Sequence, residues 1–267
     1  MDGVNKTLYI PLYGKAYVSA KGYFLNDKKA EEIWAAEGFP LKGKSKSKWL
    51  AYYMGIRSVV FDEWLNQRMT DLQGAVVIHI GCGMDSRAIR IGTDNHMWYD
   101  VDFAEVIQER CKYYQDTQQY KMLAGDVRDS SWLQKIPHGK QAIVVMEGIS
   151  MYLSPAELQA WLVDLDAKFE QVAVLMDCYT PLAAKLSKYR NPVKDVGVHK
   201  VYGIEDPAMI GSERLRFYQE HEMTPQCYID ALSGMEKRLF KKLYAGNFSK
   251  KLYKLFEYQK GNHGISV

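Results

Sequence analysis

From residue 75 onward the chain alternates short apolar runs with segments of helical period. "AVVIHIG" (75–81) is followed by "MDSRAIRI", and "HMWYDVD" (96–102) by "FAEVIQERCKYYQ". "YKMLAGD" ends at Asp126, "QAIVVMEG" ends at Gly148 before "SPAELQAWLVDLDAKF", and "QVAVLMDCY" comes next. Continuous apolar strands separated by helices predict a mostly parallel sheet covered on both faces. Ser154-Pro155-Ala156-Glu157 predicts a firm helix start, with serine as N-cap, proline in the first turn and glutamate completing a capping box. Residues 1–72 show no strand alternation. There "DKKAEEIWAAEGF" predicts a short amphipathic helix ending at Gly38, and "WLAYYMGIRSVVFDEWLNQRM" a longer one with Ile56, Val59, Val60 and Trp64 near one face. Residues 181–235 read as helical and irregular, with loop signals at "NPVKDVGV" and "GIEDP", and "SKKLYKLFEYQKG" as a last helix running into a terminal strand.

Composition narrows the class. At 267 residues, 47% hydrophobic and 25% charged, the chain can bury a sizeable core as one large elaborated domain. A net charge of +3 points to no nucleic-acid or membrane partner. Cys82, Cys111, Cys178 and Cys227 are scattered, with no CxxC pair and no His cluster, so neither a zinc site nor a disulfide framework is expected. No signal-peptide core and no run near the ~18 residues of a membrane span appear, so a cytoplasmic protein is the expectation. The basic run "KGKSKSK" (42–48) reads first as a solvated loop, with a grip on an acidic substrate as the rival.

In an open α/β sheet, ligands bind at the carboxyl ends of the strands. Those ends carry Gly81 and Gly83, then Asp100 and Asp102, Asp126 and Glu147. Core packing does not ask for carboxylates there, because unpaired buried charge is costly. The first glycine lets the chain turn sharply and the second lets backbone approach a ligand. An acid about 20 residues on, Asp102 or Asp100, is where a carboxylate accepts from ribose hydroxyls. Asp126 could accept from an adenine amine. A dinucleotide wants a third glycine, and here Met84, Asp85, Ser86 and Arg87 follow Gly83 instead. Asp85 would repel a phosphate but suits a sulfonium or an ammonium. The chemistry therefore leans to S-adenosylmethionine.

Five ordered stretches then carry a family resemblance: "TLYIPLYGKA…LNDKKAEEIW", "GCGMDSR", "YDVDFAEVI", "AGDVRDSSWL" and "MEGISMYLSPAEL". Together they resemble the leucine carboxyl methyltransferase family, in particular its bacterial branch similar to tetracenomycin-type polyketide O-methyltransferases. The resemblance implies a class I methyltransferase fold: a Rossmann-like α/β sheet of seven strands, the last antiparallel, binding S-adenosylmethionine and releasing S-adenosylhomocysteine. It also implies a helical N-terminal lid over 1–72 and a core over 73–267, with a helical substrate-side insertion at about 181–235. Carried onto this chain, the family's glycine turn falls on Gly81 and Gly83, its ribose acid on Asp102, and its adenine-contacting pair on Asp126 and Val127. Its acid near the methionyl ammonium falls on Glu147, and its carboxylate-pairing arginine on Arg57. A basic partner near the N-terminus falls on Lys15, with Lys21 as competitor.

Each position has a plainer reading: a tight turn, a helix cap at Asp102, a structural ion pair at Glu147, surface charge at Arg57 and Lys15. A carboxylate acceptor is already ionised at neutral pH and needs no general base, so proximity and water exclusion suffice. Tyr152 reads as packing more than catalysis. His79, His96 and His199 are weak candidates for a base, and His79, mid-strand, reads as a satisfied core residue. Tyr179, Tyr189 and Tyr202 could line an apolar acceptor pocket. The expected activity is O-methylation of a carboxylate or hydroxyl of a small molecule. An NAD(P)-dependent oxidoreductase and a non-catalytic binding module are the alternatives.

Overall fold

A computed structural model describes residues 8–41, 43–93, 95–137, 140–187 and 200–261. Three helices come first: α1 (Tyr9–Ala20), α2 (Lys28–Glu37) and α3 (Lys48–Asp71). α2 starts where the Asp27 side chain accepts from the Ala30 amide, and stops at Gly38, whose φ of 57° ends the helix in a left-handed turn. α3 buries residues on all sides, from Tyr52 and Ile56 to Arg57 and Asp62. It is therefore an interior helix and not the one-faced helix that its sequence suggests.

Strands and helices then alternate: β1 (Val76–Ile80), α4 (Arg87–Ile91), β2 (Trp98–Asp102), α5 (Ala104–Arg110), β3 (Tyr120–Ala124), β4 (Gln141–Met146), α6 (Pro155–Lys168) and β5 (Gln171–Tyr179). α7 (Pro181–Ser187), β6 (Arg216–His221), α8 (Gln226–Asp230), α9 (Gly234–Tyr244) and β7 (Tyr253–Lys260) complete the fold. The seven strands run in the order β3-β2-β1-β4-β5-β7-β6. β1 to β5 are mutually parallel, and β7 is antiparallel to both β5 and β6. Successive residues of a central strand enter opposite cores. Val77, Ile143 and Leu175 meet α1 to α3 on one face, while Ile78, Val144 and Val174 meet Leu158, Trp161 and Leu165 of α6 on the other. This two-sided burial explains why these strands read as unbroken apolar runs. The capping box at Ser154 and Glu157 forms as expected.

Two expectations are corrected. The stretch 181–235 is not simply helical, because Arg216–His221 forms β6. It lies at the sheet edge, paired among the described residues with β7 alone and mostly exposed, so its sequence "RFYQEH" offers little beyond Phe217 to the core and no alternation to advertise it. In "SKKLYKLFEYQKG" the expected last helix is a single 3-10 turn, Ser249–Lys251, and the expected terminal strand is β7. The loop signal "NPVKDVGV" lies outside the described residues. Among the described residues no helix is long and apolar enough to cross a membrane.

Candidate active site

The carboxyl ends of β1, β2, β4 and β5 open into a cavity of about 500 Å³, walled on the other side by α1 and α3. Gly81 leaves β1 at φ 64°, its N–H donating to Val101 O at 2.7 Å. Gly83 follows at φ 49°. Its N–H donates to Asp102 Oδ2 at 2.8 Å, while Oδ1 accepts from the Phe103 amide at 2.8 Å. Asp102 thus clips the glycine turn to the end of β2, and both oxygens keep acceptor capacity. Burial pushes its carboxyl above the ordinary carboxylate range, against the two amides.

Asp100, two residues inward along β2, has a different task. It is fully buried, accepting from Trp98 Nε1 at 2.7 Å, from Tyr120 Oη at 2.7 Å and from Arg110. Arg110 reaches under the turn, donating to Gly83 O at 2.9 Å and Asp85 O at 2.7 Å, and stacks on Tyr114. Burial raises the Asp100 carboxyl, but Arg110 outweighs it and holds the pKa at about 2. Relative to the ordinary 3.8, this corresponds to about 2 kcal/mol of folding stability. That stability is complete above pH ~4 and is lost as pH falls towards about 2. Urea unfolding followed from pH 5 to pH 2 should show this acid-side slope, and Asp100→Asn should flatten it.

Beside the turn lies a buried lattice of alternating charge. Lys15 Nζ sits 2.6 Å from Asp85 Oδ2 and 3.9 Å from Glu147 Oε1. Arg57 Nε donates to Glu147 Oε1 at 3.0 Å, and Arg87 bonds the other Glu147 oxygen. Arg87 continues to Asp62 at 2.7 Å, and Arg90 joins Asp62 at 2.6 Å to Asp27 at 2.7 Å. Burial alone would raise Glu147 and Asp85. Lys15 and the arginines outweigh it and hold both carboxyls well below the ordinary range. Two cations, Lys15 and Arg57, thus face three carboxylates, Asp85, Asp102 and Glu147, on the cavity wall. That imbalance fits a ligand with net positive charge. Asp85, paired with Lys15 and Arg90, keeps a carboxylate on the wall that a pyrophosphate would have to face.

The structure brings Lys15, Arg57, Gly81, Gly83, Asp102, Glu147 and Tyr152 to one cavity wall. Asp126 and Val127 are not on that wall, and Asp126 is held by Arg128 in a double contact at 2.6 and 3.0 Å. Lys21 ends α1, exposed over the Tyr17 ring and away from the cavity. His79 reaches the cavity wall but is buried between Arg87 at 3.2 Å and Asp100 at 3.3 Å, and His96 bonds Ala75 O at 2.9 Å. His199, Tyr189 and Lys42 lie outside the described residues. Lys48 pairs with Glu236 at 2.8 Å, and among the described side chains of 43–48 none lines the cavity. Tyr179 lines it with Tyr53, Tyr244 and Tyr253, while Tyr202 does not. Sequence reading missed Asp177, Arg87 as a ligand of Glu147, and Arg110. Only Asp177 left a signal, as the acid near the carboxyl end of the fifth apolar run.

A family model described as leucine carboxyl methyltransferase matches residues 8–165. A tetracenomycin polyketide synthesis O-methyltransferase from Streptomyces glaucescens is 28% identical over 241 residues, which is 89% of this chain and 89% of that protein. An S-adenosyl-L-methionine-dependent methyltransferase of Gibberella zeae is 23% identical over 78% of this chain and 77% of its own. Among solved structures, magnesium protoporphyrin IX methyltransferase from Synechocystis PCC 6803 with bound S-adenosylmethionine has a TM-score of 0.51 at 12% identity. It covers 93% of this chain and 97% of that one, a likeness of fold alone.

Proposed function

The chain belongs to the leucine carboxyl methyltransferase family and is an S-adenosylmethionine-dependent methyltransferase, and on that premise we propose that it methylates a carboxylate oxygen of a small aromatic molecule in the cavity at the Gly81 turn. Arg57 and Lys15 take the methionyl carboxylate and Glu147 the ammonium. Gly83 gives the ligand backbone access, Asp102 accepts from the ribose hydroxyls, and the adenine edge extends beyond the cavity wall to Val127 and to Asp126, where it displaces the Arg128 contact. The observation that carries this placement is the acid-rich wall together with the state of Arg57. Its Nε and Nη1 are committed to Glu147, Asp177 and Tyr253, while Nη2 donates to nothing among the described residues. A guanidinium edge left open in that way suits a carboxylate. Leu8, Ile10 and Leu12 also reach the cavity, which supports reading 1–72 as a cover over the cofactor and 73–267 as the core.

Bound there, S-adenosylmethionine would supply an electrophilic methyl group, the C–S bond breaking as the C–O bond forms and S-adenosylhomocysteine leaving. The chain's own residues then orient the two partners and exclude water. The rings of Tyr53, Tyr179, Tyr244 and Tyr253 offer the acceptor an apolar aromatic wall. No base stands ready there among the described residues: the acids are paired with cations or amides, His79 is bonded in the core, and burial pushes the Tyr179 hydroxyl up. A carboxylate acceptor needs none. The relative from Streptomyces, named for polyketide synthesis, supports a polyketide-like body. All four cysteines are unpaired, which supports a reducing cytoplasmic setting.

Asp102→Ala should weaken S-adenosylhomocysteine by ~1–3 kcal/mol in calorimetry, the cost of unpaired ribose hydroxyls. Unchanged affinity would move the ribose elsewhere. A methyl-transfer screen should find aromatic carboxylates modified at a rate flat from pH 6 to 8. Turnover restricted to phenols would overturn the acceptor assignment.

A further inference from the structure

β5 delivers a carboxylate to the cavity's edge that the cofactor assignment does not use. Asp177 is fully buried. Its Oδ1 accepts from the Gly148 amide at 2.6 Å, and its Oδ2 accepts from Arg57 Nη1 at 2.9 Å and from the Tyr253 hydroxyl. That hydroxyl in turn accepts from Arg57 Nη1 at 3.1 Å. With Nε on Glu147, the guanidinium is held at two of its three nitrogens, and Gly148 closes its face: a Cβ there would sit 3.5 Å from Nη1 and Nη2. The Tyr253 ring is itself braced, edge-on to Tyr179 at 5.1 Å and near Tyr53 at 6.1 Å.

We propose that Asp177 and Tyr253 are positioning residues that clamp Arg57 so that Nη2 is already aimed at the methionyl carboxylate before the cofactor arrives. The proposal rests on Arg57 as the carboxylate anchor. Without the clamp, an arginine side chain must be ordered at the moment of binding, and that ordering lowers affinity. Neither residue touches the reacting atoms, and both act through Arg57.

The experiment is calorimetry of S-adenosylhomocysteine and of 5′-methylthioadenosine, which lacks the amino-acid end, on wild type, Tyr253→Phe, Asp177→Asn and Arg57→Lys. Tyr253→Phe keeps the ring and removes the hydroxyl. It should weaken S-adenosylhomocysteine about 2- to 12-fold, the cost of one unordered side chain, and leave 5′-methylthioadenosine within twofold. In an Arg57→Lys background the same change should cost less than twofold, whereas in an Asp102→Ala background the full loss should recur. Asp177→Asn should follow the same pattern if it folds, and Tyr253→Phe carries the test if it does not. Equal losses for both ligands, or equal losses in both backgrounds, would overturn the clamp. If Arg57→Lys itself leaves S-adenosylhomocysteine unweakened, the anchor assignment fails and the clamp with it.

Discussion

Glu147→Gln is expected to lower the unfolding free energy by about 3–5 kcal/mol and to abolish measurable methyl transfer. The size follows from what converges there. Arg57 and Arg87 bond its two oxygens, Lys15 stands 3.9 Å away, and the carboxylate is nearly sealed from water. Removing one partner of such a cluster leaves buried cations uncompensated, which is far more costly than losing an exposed pair. Binding suffers for a separate reason, because the amide offers the methionyl ammonium no charge and Arg57 loses the contact that holds its Nε. Urea unfolding and calorimetry on the same preparation separate the two losses. A variant of native stability and native S-adenosylhomocysteine affinity would show that the lattice is decorative.

Gly81→Ala is expected to cost about 2–4 kcal/mol, combining the penalty for a side chain in the left-handed region with overpacking. At φ 64° the new Cβ would sit 2.2 Å from Ile149 Cγ1 and Cδ1, so Ile149 must leave its place on the cavity wall. S-adenosylhomocysteine affinity should fall at least tenfold, about 1.4 kcal/mol. Adding Ile149→Ala should recover the overpacking share and not the backbone share. Full recovery in the double variant would mean that the turn carries no strain, and a neutral single variant would mean that the turn is free to relax.

The strands and the glycine turn were legible because their signals are local. Parallel strands buried on both faces must be apolar throughout, and a chain leaving β1 in the left-handed region selects glycine at Gly81 and Gly83. The acids at the strand ends were legible by exclusion, since a core would not place Asp102 or Glu147 there. What stayed hidden depends on partners far away in sequence. Arg110 looks like any helix-surface arginine until α5 lays it beneath the turn, against Asp100 and the carbonyls of Gly83 and Asp85. Arg87 occupies the place of a third dinucleotide glycine. Its role as a bridge from Asp62 to Glu147 appears only when α3 packs against α4 and β4. β6 escaped notice for the opposite reason. An edge strand with exposed Arg216, Tyr218 and Gln219 buries too little to leave a pattern.

Titration of S-adenosylhomocysteine and 5′-methylthioadenosine into wild type, Arg57→Lys and Asp102→Ala tests whether the cavity holds the cofactor's amino-acid end on Arg57 and its ribose on Asp102. Arg57→Lys should weaken only S-adenosylhomocysteine, while Asp102→Ala should weaken both ligands by a similar factor. Loss of 5′-methylthioadenosine binding in Arg57→Lys, or its retention in Asp102→Ala, would contradict that placement.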